Sequence, residues 1–126
     1  MRLDTVIELR SVIEEFIDEN ISVKTAYKFS KFLQDTESDY NFFVKKTQEI
    51  IEQYAEKDVD GNFITLTNGG IKLIPEKTKD VENILKDLQN IDISIGDYFK
   101  FNIDEFENLK ISCRKLNPFM DFIINN

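Results

Sequence analysis

The feature that most constrains this chain lies between residues 22 and 56, which contain neither glycine nor proline. Within that stretch Ala26, Phe29, Leu33, Thr36, Tyr40, Phe43, Thr47, Ile50 and Tyr54 follow one another in alternating steps of three and four. Apolar positions at that period share one face of an α-helix, so the spacing predicts a single amphipathic rod of roughly 50 Å, at about 1.5 Å per residue. Phe32, Val44 and Ile51 widen the stripe. The same seam fits a helix buried against its own neighbours or a coiled coil with a second chain. Aromatic rings at Phe29, Tyr40, Phe43 and Tyr54 favour the irregular packing of an internal core.

A shorter helix is expected before it, near residues 5–18, carrying Val6, Leu9, Ile13 and Phe16, with Thr5 and Glu8 spaced as a capping box. Asn20 suits a left-handed C-terminal cap, and Ser22 can cap the helix that follows. The two helices then form a helical hairpin whose long arm is only partly covered.

The segment after the rod changes character. Asp60-Gly61 and Asn68-Gly69-Gly70 are turn signals around two β-rich runs, with Ile64, Leu66, Ile71 and Leu73 placed to share a buried face. Thr78 then opens a helix carrying Val81, Ile84, Leu85 and Leu88 to about Gln89. A second hairpin is expected from Ile91, Ile93 and Ile95, a type II′ turn at Gly96-Asp97, and Phe99, Phe101 and Ile103. Asn102 with Glu105 can cap a short helix, and Asn117-Pro118 can start a last turn. The reading is an α+β fold in the order ααββαββαα, a long antiparallel helical hairpin packed with a small antiparallel sheet, as a single domain over residues 1–126.

The 126 residues include 24 acidic and 16 basic side chains, a formal net charge of −8. That balance opposes binding to phosphate backbones or anionic membranes. Phenylalanine occurs 11 times and tryptophan not at all, so the core should contain rings that need no hydrogen-bond partner. One cysteine, Cys113, permits no internal disulfide and reads as a small buried side chain; the amino terminus has no long apolar run. A cytoplasmic location in a bacterial host cell is expected.

Histidine is absent, which removes the commonest general base near neutral pH and the His-containing zinc and nucleophile sites. No phosphate-binding glycine motif and no C-x-x-C pair occurs. The reading is therefore not an enzyme, with no catalytic residues, no cofactor and no metal. Glu56, Asp58, Asp60, Gly61 and Asn62 partly resemble a calcium loop, but Thr67 stands where the bidentate glutamate belongs, and a helix-exit turn is the better reading.

Residues 23–33, VKTAYKFSKFL, and residues 50–62, IIEQYAEKDVDGN, with IDEFENLKI further on, resemble small proteins of bacteriophages and prophages of Gram-positive bacteria. The resemblance covers most of the chain and implies an α+β fold, but carries over no catalytic residue, because that group has no assigned function.

These features point to a non-catalytic protein–protein interaction protein of a phage or mobile element, a virion or assembly accessory. The partner is another protein or a second copy met through the long second helix, giving a homo-oligomer. The candidate contact residues are Lys24, Tyr27, Lys28, Lys31, Tyr40, Phe43, Ile50 and Tyr54; Lys24, Lys28 and Lys31 form a basic stripe that is otherwise a solvated face. Two alternatives remain open: an acidic antagonist of a host defence nuclease, and small-ligand capture by rings such as Tyr27, Tyr40, Tyr54 or Tyr98.

Overall fold

The computed structural model describes residues 1–124. Its helices are α1 (Leu3–Glu15), α2 (Val23–Asp35), α3 (Glu37–Gln53), α4 (Thr78–Gln89) and α5 (Cys113–Leu116), with 3-10 turns at Pro75–Lys77, Ile103–Phe106 and Asn117–Phe122. Among the described residues there is no strand and no sheet, only isolated bridges. The expected α+β class is thus overturned: the fold is helical. The chain divides into two compact units, Met1–Tyr40 together with the chain from Asp92 onward, and Asn41–Ile91.

In the first unit, α1 buries Leu3, Val6, Leu9, Val12 and Ile13, the face its periodicity marks. It begins two residues earlier than Thr5, with Arg2 at the cap position and no side-chain cap bond, so the Thr5–Glu8 box is not used. Asn20 is not left-handed either, since no residue other than glycine has a positive φ among the described residues. Ser22 does cap α2, its hydroxyl accepting from the Thr25 N–H at 3.2 Å.

The core of this unit is a cluster of phenylalanine rings. Phe32 stacks on Phe99 at 4.4 Å between centroids, and Phe99 meets Phe101 and Phe122 edge-on at 5.0 Å each. Phe106 and Phe119, 5.2 Å apart, lie beside Phe101. Such pairs contribute about 0.5–1.5 kcal/mol each beyond the area they bury.

The expected hairpin across Gly96 does not form. A type II′ turn needs a positive φ at its first central residue, and among the described residues only Gly61 and Gly69 have one. Each half pairs with a chain end instead: the Ile93 N–H donates to the Met1 carbonyl at 2.7 Å, and the Phe101 N–H donates to the Phe122 carbonyl at 2.8 Å. Cys113, expected to be buried, is exposed.

The second unit buries Ile50, Ala55, Val81 and Leu88. The region expected to be a hairpin makes antiparallel bridges at Ala55–Leu73, Lys57–Phe63 and Thr65–Ile71. No two are consecutive on the same pair of runs, because each run changes partner. The Glu56 N–H donates to the Lys72 carbonyl at 2.8 Å while the Glu56 carbonyl accepts from the Ile64 N–H at 3.3 Å. Gly61 and Gly69, at φ 81° and 86°, turn the chain at the tips as their sequence positions imply.

The expected single rod is interrupted. α2 stops at Asp35 and α3 restarts at Glu37, with Thr36 between them at φ −107°, ψ 5°. Of the seam positions Phe29, Thr36 and Ile50 are buried, and the seam does not lie on one helix. The Thr36 hydroxyl donates to the Phe32 carbonyl at 2.6 Å, a back-bond that bends helices.

Candidate functional site

On α2, Thr25, Lys28, Phe29 and Phe32 form the buried face, which places a lysine where an apolar side chain is the rule. The Lys28 ammonium donates to both carboxylate oxygens of Glu105 at 3.0 Å and to the Lys100 carbonyl, and lies 4.8 Å from the centre of the Phe101 ring. Glu105 also accepts from the Asn102 N–H at 2.7 Å and from the Thr25 hydroxyl at 3.2 Å. The first of these belongs to the Asn102–Glu105 capping box that opens the 3-10 turn. Burial by itself raises the Glu105 carboxyl; the Asn102 N–H, the Lys28 ammonium and the Thr25 hydroxyl outweigh it and hold the carboxyl below the ordinary glutamate value.

A cleft of about 260 Å³ lies beside this pair, lined by Ile21, Ser22, Lys24, Asn102, Glu105 and Leu109 among others. Lys24 is exposed. Its neighbour Tyr27 is 61% exposed. Lys31 is half-buried, 3.6 Å from the Asp35 carboxylate and 5.1 Å from the centre of the Tyr98 ring. Burial first, then the Asp35 carboxylate, lifts the Tyr98 phenol well above its usual value. The three lysines expected to share a stripe therefore have three environments: Lys24 in solvent, Lys28 in an internal ion pair, Lys31 over a ring.

Tyr40 lies under the Arg10 guanidinium, 4.7 Å from its ring centre. Arg10, on α1, is 8% exposed, and its Nη1 donates to the Leu33 carbonyl at 2.7 Å and to the Thr36 hydroxyl at 2.8 Å. It makes no ion pair among the described residues. Phe43 and Tyr54 are half-buried, and Ile50 is the one buried residue of α3. Phe42 and Val44 are 52% and 48% exposed.

Thr25 and Arg10 were not singled out from the sequence, and Glu105 only as the cap partner of Asn102. The N-x-x-E spacing of Asn102 and Glu105 marked a cap, but nothing local announces a lysine 77 residues away. The partial calcium loop is a turn in which the Asp58 carboxylate accepts from the Asp60 and Asn62 N–H groups at 2.9 and 3.0 Å. Among the described residues no three His, Cys, Asp or Glu side chains group as metal ligands, and no helix is long and apolar enough to cross a membrane.

No protein-family model, no curated protein and no solved structure matches this chain.

Proposed function

We propose that this chain is a non-catalytic protein-interaction protein of a phage or mobile element, and that it associates with a second copy of itself through α3. The observation that carries this reading is the bareness of that helix: of its 17 residues only Ile50 is buried, while Phe42 and Val44 are about half exposed. A helix so little covered has apolar area left to remove from water, at about 25 cal/mol per Å². Phe42 borders a shallow groove of about 220 Å³ with Lys45, Lys46 and Glu49. Having both charge signs beside an apolar anchor makes the strip complementary to itself, which a two-fold contact requires. The phage setting rests on the resemblance of residues 23–33 and 50–62.

Light scattering over a wide concentration range tests it. The expected result is a concentration-dependent dimer that becomes monomeric in F42E/V44E with unchanged circular dichroism. A wild-type protein that stays monomeric at every concentration overturns the reading.

A further inference from the structure

The interruption at Thr36 coincides with an unusual cation. Arg10 is buried and lacks a carboxylate partner, an arrangement that is costly unless the charge is met by dipoles. It is met by the end of α2. A helix leaves its last carbonyls without ladder partners and gathers negative partial charge there, and the Arg10 guanidinium donates to one of them, that of Leu33. α2 has no basic residue of its own in its last turn. The helix is thus capped by a residue of α1, 23 positions earlier in the chain.

The Leu33 carbonyl is also the acceptor that the Glu37 N–H would use in a continuous helix. Between α2 and α3 the ladder bonds of the Thr36 N–H to Phe32 at 3.0 Å and of the Tyr40 N–H to Thr36 at 2.9 Å are made, while those of the Glu37, Ser38 and Asp39 N–H groups to Leu33, Gln34 and Asp35 are missing, the Leu33 bond first among them. No glycine or proline occurs nearby to break the helix, and the seam runs through Thr36 in step.

We infer that Arg10 is a conformational lock: by occupying the Leu33 carbonyl and the Thr36 hydroxyl it holds open a break that the local sequence would otherwise close, so that withdrawing its guanidinium makes the chain helical without interruption from Val23 through Tyr40. The Tyr40 ring, stacked on the guanidinium, holds the lock from the far side of the break. The inference does not depend on the identity of a partner. A second chain that binds the uninterrupted form better than the broken one would shift the population toward it.

Amide hydrogen exchange at Glu37, followed by NMR on the full chain, reads the state of the break. In the wild type this amide should exchange much faster than those of Phe32 and Phe43. In R10M, which keeps length and apolar bulk but no donor, it should slow by about tenfold or more as the ladder bond forms. T36A, which removes the hydroxyl acceptor and its back-bond with little volume, should slow it likewise and serves if R10M does not fold. A wild-type Glu37 amide as protected as its neighbours, or one unchanged in a folded variant, overturns the inference.

Discussion

The Lys28 ammonium stands 3.0 Å from each carboxylate oxygen of Glu105, joining α2 to the Ile103–Phe106 turn across 77 residues of chain. Both side chains are nearly out of solvent, at 11% and 8% exposure. A pair in that position fixes which elements meet more than it adds net stability, because desolvating two charges consumes most of their attraction.

Removing one partner should therefore be far worse than removing both. E105Q leaves Lys28 buried without a counter-charge and should destabilise by about 3 kcal/mol or more, whereas K28M/E105L should recover much of that loss. Urea denaturation of the wild type, E105Q and K28M/E105L measures this; a double variant no more stable than E105Q contradicts the account.

The same carboxylate sets an acid limit. Its pKa is lower in the folded chain than in the unfolded one, so its contribution is fully present above the unfolded value of about 4.3 and is lost as pH falls through the folded value. The stability gap between wild type and E105Q should then hold from neutral pH down to about 4.3 and narrow at pH values below it. A gap that stays constant over that range rules out linkage through Glu105.

Phenylalanines in the ring cluster and on α3 should respond oppositely to truncation. F99A empties a site bounded by Phe32, Phe101 and Phe122 and should cost about 3–5 kcal/mol. F42A, on a ring about half exposed, should change monomer stability by about 0.5 kcal/mol or less while weakening association. Thermal unfolding of both, with light scattering of the second, separates folding from binding.

At the tip of the second turn, G69A meets no atom within 4 Å of the added carbon, so its whole cost is the positive φ of 86°. That cost is about 1–2 kcal/mol for a side chain with a Cβ, and asparagine, which tolerates this region better, should cost less. Equal losses in G69A and G69N would place the strain elsewhere.

Local pattern carried much of this fold. The buried face of α1, the Ser22 cap, the start of α4 at Thr78 and the turns at Gly61 and Gly69 all depend on residues within a few positions of one another, and each was legible, whereas the buried face of α2 includes Thr25 and Lys28, which the seam did not mark. Alternation at Ile91, Ile93 and Ile95 implied a strand, but the segment makes only an isolated bridge, Asp92 with Arg2, and the Ile93 N–H donates to Met1 where the Phe99–Ile103 segment was expected.

The amino-acid sequence by itself determined where the helical faces lie and where the chain turns, because i to i+4 contacts and glycine conformations need nothing from afar. Tertiary structure alone decided that a lysine on a helix face would be interior, that bridges would not extend into strands, and that the long seam would stop at Thr36. Each of those outcomes rests on a partner distant in sequence, Glu105, the chain ends or Arg10, and which distant groups meet is settled by competition to bury the phenylalanine core with its polar neighbours paired.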